Sequence, residues 1–114
     1  VAVKSRTEGR VLIVEFEDSK MLDEAVINEV GNELMALVEQ CEGKQMLLDF
    51  SAITFMSSSM IGKIVFLSKD CKAKGVDLRL CCINANVMEV FSLMNLDKVL
   101  SIYPNYEQAK ESFG

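Results

Sequence analysis

Residues 45–50 read Gln-Met-Leu-Leu-Asp-Phe, an extended run with too little alternation to keep one face in water. A strand of this kind needs apolar cover on both faces, the situation of a parallel sheet packed under helices. This requirement constrains the fold more than any other feature of the chain, because parallel neighbours must be joined by long crossover connections.

The remaining sequence supplies such connections. Residues 3–7 and 10–16 are extended candidates separated by Glu8-Gly9, a turn-forming pair, and predict an N-terminal hairpin that sends Val11, Ile13 and Phe16 to the core. A polar loop over residues 17–20 leads to Asp23, an N-cap for a helix running to about Gln40. Ile27, Val30, Leu34, Leu37, Val38 and Cys41 recur on it at spacings of three and four, with Glu29, Asn32, Glu33 and Glu39 elsewhere on the wheel. Gly43 is read as closing this helix. A second helix starts within Ser57-Ser58-Ser59 and ends before Gly75. Residues 76–82 then alternate as a strand, with Val76, Leu78 and Leu80 against Asp77, Arg79 and Cys81. Asn84 can cap a third helix carrying Val87, Val90, Phe91 and Met94 on one side. A last strand over residues 99–103 precedes Pro104, and Asn105 with Gln108 resembles a capping box for a final helix ending near Phe113. The expectation is an α/β fold, a mostly parallel sheet of four or five strands with right-handed crossovers. With 114 residues and no repeat, low-complexity tract or linker, residues 1–114 read as one domain.

Composition narrows the function. The net charge is −5, there is no histidine, and the lysines are scattered, so no phosphate-neutralising surface for nucleic acid is expected. Apolar runs such as 11–14 and 64–67 are far shorter than the roughly 20 residues that cross a bilayer. No charged-then-apolar signal segment opens the chain, so neither membrane nor export is expected and the location is read as cytoplasmic. The chain begins at Val1 without an initiator methionine, which leaves room for a larger parent protein. Cys41, Cys71, Cys81 and Cys82 show no CxxC or similar ligand spacing. Cys81 and Cys82 are neighbours in a predicted strand, whose alternate side chains point to opposite faces, so they are not expected to converge on an ion. All four read as small apolar residues in a reducing cytosol, with no metal or cofactor.

Catalysis is equally unsupported. Acyl transfer through serine needs a base such as histidine, and Lys63 lies five residues after Ser58, at the wrong angle to reach back. Residues 51–56 contain no glycine and no GxxxxGK pattern, so they cannot wrap a nucleoside triphosphate. The carboxylate pairs Asp23-Glu24 and Glu15-Glu17 read as solvated. No catalytic residue is assigned, and the chain reads as a binding protein.

What remains is residues 47–62. A buried strand ends in a loop that delivers three hydroxyls to a helix N-terminus, where unpaired N–H groups and the dipole favour an anion. Simple N-capping by one serine is the alternative reading of the same residues. Here the chain resembles a family, the STAS domain, shared by bacterial anti-sigma factor antagonists and the cytoplasmic parts of sulphate transporters. The resemblance rests on Leu48-Asp49-Phe50-Ser51, then Ile53, Phe55, Ser58-Ser59 and Gly62. Lys74-Gly75, Leu78-Arg79-Leu80, Asn95-Leu96 through Val99 and Glu107-Gln108-Ala109 extend it over nearly the whole chain.

The resemblance implies a sheet with helices chiefly on one face. For the antagonist branch it implies a phosphorylated serine at Ser58, with Ser57 and Ser59 as alternatives, modified by an anti-sigma factor with serine kinase activity. The unphosphorylated form would bind that partner and free a sigma factor, and a serine phosphatase would reset the switch. The chain departs from the family at Ser57, where an acidic residue is common, and at Met60, where glycine is. The second implication is a STAS scaffold or regulatory module that is never phosphorylated and binds a protein or small ligand. On the second helix, Met60, Ile61, Ile64, Ser68 and Cys71 cluster on one side while Lys63, Phe66 and Asp70 share the other. An aromatic flanked by charges suits an interface anchor. The expected partner surface comprises Thr54, Met56, Ser57, Ser58, Ser59, Met60, Lys63, Phe66 and Asp70, on a monomer or weak homodimer.

Overall fold

The computed structural model describes residues 2–113. Its centre is β4 (Gln45–Asp49), the middle member of a five-stranded sheet that also contains β1 (Val3–Glu8), β2 (Val11–Phe16), β6 (Asp77–Cys81) and β7 (Ile102–Tyr103), in the order β1-β2-β4-β6-β7. β1 and β2 form the antiparallel hairpin, and every other pairing is parallel. Met46 and Leu48 face the larger core, under α1 (Glu24–Glu39), α2 (Ser58–Ala73) and α3 (Ala85–Leu93). Leu47 faces the other way and packs with Val11, Ile13, Cys81 and Ala109 beneath α4 (Tyr106–Glu111). Both faces of β4 are therefore dry, as its composition requires.

The expected α/β architecture, with helices chiefly on one face, is the one observed. Asp23, Ser57, Asn84 and Asn105 each cap a helix through the side chain. On α1 the buried stripe is Ile27, Val30, Leu34 and Val38, and Cys41 is buried just beyond the helix end. α2 ends in a Schellman arrangement: Gly75 takes a left-handed φ of 72°, its N–H bonds the Lys72 carbonyl, and the Val76 N–H bonds that of Cys71.

Several local readings are corrected. Val11, Ile13 and Phe16 are all buried as expected, but on opposite faces of the sheet, because alternation sends Val14 and Phe16 to the larger core. Residues 17–20 are not all loop: β3 (Lys20–Met21) pairs in parallel with β5 (Phe55–Met56) as a separate ribbon, too short to show a period. On α2, Leu67 takes the core position assigned to Ser68. On α3, Val87 and Phe91 are buried while Val90 and Met94 are exposed, since only the narrow Val87–Phe91 line faces the sheet. The last strand is only Ile102–Tyr103. A 3₁₀ turn at Leu96–Lys98 precedes it and leaves Val99 72% exposed.

Gly43 does not close α1, which ends at Glu39 with Gln40 as its C-cap. It is needed instead where the α1–β4 connection crosses the β1–β2 turn, because a Cβ there would stand 2.1 Å from the Arg10 carbonyl oxygen. Backbone must move to admit a side chain. Gly43→Ala is expected to cost about 1–3 kcal/mol, the range of an overpacked site, read as a lower urea midpoint with an unchanged m-value. A wild-type midpoint would show that this crossing is not tight.

Candidate functional site

Beyond the carboxyl end of β4 the chain is fixed bond by bond. The Asp49 Oδ1 accepts the Ser51 N–H at 2.9 Å, and the Ile53 N–H returns to the Phe50 carbonyl at 2.9 Å. The Thr54 N–H and hydroxyl both donate to the Ser19 carbonyl, at 2.7 and 3.2 Å, and the Ser57 N–H donates to that of Met21 at 3.0 Å. Asn84 serves two elements at once. Its Oδ1 accepts the Val87 N–H at 2.9 Å to cap α3, and its Nδ2 donates to the carbonyls of Thr54 at 2.9 Å and Ile53 at 3.3 Å.

The three serines divide the work at the start of α2. Ser57 is the N-cap, its Oγ accepting the Met60 N–H at 3.3 Å. Ser59 donates its hydroxyl to the Glu24 carboxylate of α1 at 3.2 Å. Ser58 is exposed at the first helical position, and among the described residues its hydroxyl has no partner. The chain's departure at Ser57 is thus chemically neutral for the cap, because serine and aspartate are comparable N-caps. The departure at Met60 fills the core, its side chain being fully buried.

Not every expected surface residue is on the surface. Met56 and Met60 are buried and cannot meet a partner, because β5 and the first turn of α2 direct them under the helical layer. Thr54, Ser58 and Phe66 are exposed, and Ser57, Ser59, Lys63 and Asp70 are half-buried. Phe66 is 62% exposed and stands beside the α1–α2 groove lined by Gly31, Asn32, Met35 and Lys63. The Lys63 stem lies across Gly31, where an added Cβ would be 3.1 Å from its Cδ. Asp70 pairs with Lys74 one turn on, at 3.3 Å, and Lys74 also reaches Glu39 of α1. The α1-facing stripe Ser59, Lys63, Phe66, Asp70 is therefore partly committed to holding the two helices together. Two apolar residues not assigned from sequence, Leu22 and Phe55, are about half exposed on the β3–β5 ribbon next to the serines. An apolar residue immediately before the Asp23 cap was the available signal for Leu22.

The carboxylates lie at the surface as expected, Glu17, Asp23 and Glu24 exposed and Glu15 half-buried, whereas the reading of the cysteines changes. Glu15 pairs with Arg6 at 2.9 Å, and Asp23 accepts the Ala25 N–H at 2.8 Å. Cys41 and Cys71 are buried, and burial pushes the Cys71 thiol up to about 12. Cys81 and Cys82, however, do not point apart: β6 ends at Cys81, Cys82 turns with φ at 64°, and their sulfurs stand 3.6 Å from each other beside the Asp49 carboxylate. Burial raises both thiols above the ordinary cysteine range.

With this geometry in place, comparison with known proteins assigns the fold. The STAS domain family model matches residues 2–109. The chain belongs to the STAS family. Solved structures similar to this STAS domain include an anti-sigma factor antagonist from Thermotoga maritima, with 22% identity, 96% of this chain and 92% of the other covered, and a TM-score of 0.83. An anti-sigma-factor antagonist domain protein from Planctomyces limnophilus superposes with a TM-score of 0.85 at 20% identity, covering 98% and 97% of the two chains. The Bacillus cell fate determinant SpoIIAA in its phosphorylated form gives 0.74 at 15% identity, covering 99% of this chain and all of that one.

The division of labour among the serines is directly measurable. Ser57→Ala is expected to lower stability by about 0.5–2 kcal/mol through loss of the cap, while Ser57→Asp retains it. Ser58→Ala is expected to stay within about 0.5 kcal/mol of wild type. Chemical denaturation of the three variants checks this, and equal losses in Ser57→Ala and Ser58→Ala would overturn the assignment of the cap.

Proposed function

We propose that this STAS domain is an anti-sigma factor antagonist whose switch is phosphorylation of Ser58. The observation that carries the reading is the state of the three hydroxyls: Ser57 caps α2, Ser59 is held by Glu24, and Ser58 projects from the first helical position with its hydroxyl free of any partner among the described residues. Similarity to anti-sigma factor antagonists, one of them in a phosphorylated form, supports it. The partner is an anti-sigma factor with serine kinase activity, bound by the unphosphorylated domain, and a serine phosphatase reverses the modification.

The domain acts by binding and not by catalysis. The titratable side chain hydrogen-bonded to the cluster is Glu24, on Ser59, and the Lys63 stem lies along α1 instead of reaching back to Ser58. Docking uses the exposed subset of the surface, namely Thr54, Ser58 and Phe66 with the half-buried Ser57, Ser59, Lys63 and Asp70, and Phe55 extends it. The domain works as a monomer or weak homodimer in the cytoplasm. No helix among the described residues is long and apolar enough to cross a membrane.

A phosphoserine carries roughly −1.5 to −2 charges, and at a helix N-terminus it gains about 0.3–1 kcal/mol from the dipole, so the fold tolerates it. Its effect falls on the interface, where bulk and desolvation need remove only about 2.8 kcal/mol to weaken binding a hundredfold. Incubation with an anti-sigma serine kinase from the source organism and ATP is expected to add one phosphate, and Ser58→Ala to abolish it. Ser58→Glu is expected to bind that kinase about a hundredfold more weakly with its melting temperature unchanged within a few degrees. Labelling that persists in Ser58→Ala and disappears in Ser57→Ala or Ser59→Ala would move the switch. Phe66→Ala should melt like wild type yet bind more weakly, and a large drop in its melting temperature would place the ring in the core.

A further inference from the structure

We propose that Asp49, Cys81 and Cys82 form a binding site for one thiophilic divalent metal ion of the zinc type. The site is independent of Ser58. In the parallel register of β4 and β6, Asp49 is opposite Cys81, so both side chains leave the carboxyl edge of the sheet on the same face. Continued as a strand, the chain would send Cys82 to the opposite face. Instead it adopts φ 64°, a left-handed backbone that residues with a Cβ take only at a cost. The turn brings the second thiol round to the first.

The result has the dimensions of a coordination sphere. The two sulfurs are 3.6 Å apart. Zinc–sulfur bonds of about 2.3 Å at a tetrahedral angle put two thiolates about 3.8 Å apart. One ligand atom from each of the three residues lies within 4.8 Å of the others. Sulfur and carboxylate oxygen are donors that zinc accepts together, and three protein ligands leave a fourth position for water or an incoming group.

The surroundings suit the assignment. Cys81 is buried and Asp49 is 8% exposed, whereas Cys82 is half-buried and is the ligand nearest solvent. Asp49 is oriented by the Ser51 N–H at 2.9 Å, the kind of outer hydrogen bond that fixes a metal ligand. Binding forms two metal–sulfur bonds and releases the two thiol protons to solvent, the ion's charge replacing theirs.

The test is titration of the full chain, kept reduced with a phosphine, with Zn²⁺ against a chromophoric chelator, and with Cd²⁺ followed by thiolate charge-transfer absorption. One equivalent is expected in wild type and in Ser58→Ala. Cys82→Ala and Cys81→Ser are expected to lose charge-transfer intensity and to bind Zn²⁺ at least about a hundredfold more weakly. Asp49→Asn should weaken affinity by about 10–100-fold while the sulfur bands remain. Thermal melts establish that each variant is folded; Cys82→Ala, at a half-buried position, supplies the decisive comparison should Cys81→Ser fail to fold. Wild-type Zn²⁺ affinity in Cys82→Ala would take Cys82 out of the coordination sphere and overturn the site, as would wild-type protein that binds less than one equivalent.

Discussion

Burial of β4 on both faces is the constraint on which the other elements depend. Met46 and Leu48 require the α1–α3 layer, and Leu47 requires α4, so the strand cannot be stable until cover exists on both sides. The smaller side is thin. It consists of Val11, Ile13, Leu47, Cys81 and Ala109, with Tyr103, Tyr106 and Phe113 at its edge. A six-residue helix is a weak lid by itself, and side chains of the sheet hold it down. Arg79 of β6 lies 4.5 Å from the Phe113 ring centroid and 5.8 Å from that of Tyr103, and it bonds Ser112. Glu8 of the hairpin meets Lys110 at 2.6 Å and also Tyr106, contacts that pull the Glu8 carboxyl down to about 2, led by the Lys110 hydrogen bond.

A central strand buried on both faces can expose chemistry only at its ends. The carboxyl ends of β4 and β6 are where polar groups gather: Asp49, the Ser51 turn, Cys81 and Cys82, and the loop to Ser57. Open parallel sheets in general bind outside the carboxyl edge of their strands, because connections there are free to vary without disturbing the core. In this chain the edge divides in two. One side leads to the serines and the helical layer, the other to the paired thiols beneath α4.

Most of the fold was legible in the sequence because each helix announces its start by a capping residue, and α1 its buried face by a stripe. Asp23, Asn84 and Asn105 stand at the observed N-caps, the second helix starts within its serine run, and the α1 stripe matches the buried face except for the half-buried Leu37. The misreadings share a physical origin: they fall where tertiary context outweighs a short pattern. Two-residue strands such as β3 carry no period, and Gly43 answers to a crossing with Arg10 that no local window contains. Met56 and Met60 were placed on the partner surface, yet side-chain direction on a ribbon and a helix start changes from one residue to the next, and both are buried. Cys82 is the sharpest case. Alternation holds only while the strand lasts, and β6 ends one residue earlier than the pattern 76–82 suggested.

The serine cluster shows what sequence could and could not separate. Three adjacent hydroxyls at a helix start are equivalent in one dimension, and a family resemblance ranks them without a mechanism. In three dimensions they differ by partner: an N–H for Ser57, a carboxylate for Ser59 and, among the described residues, none for Ser58. The loop that presents them is held by the Ser19 and Met21 carbonyls on one side and by Asn84 on the other. Asn84 also caps α3, so displacing the loop means giving up an α3 cap as well as two loop bonds. Such anchoring favours a site that changes its charge and keeps its shape. A group added to Ser58, as proposed, would sit on a backbone held by these bonds, and moving that backbone would forfeit them.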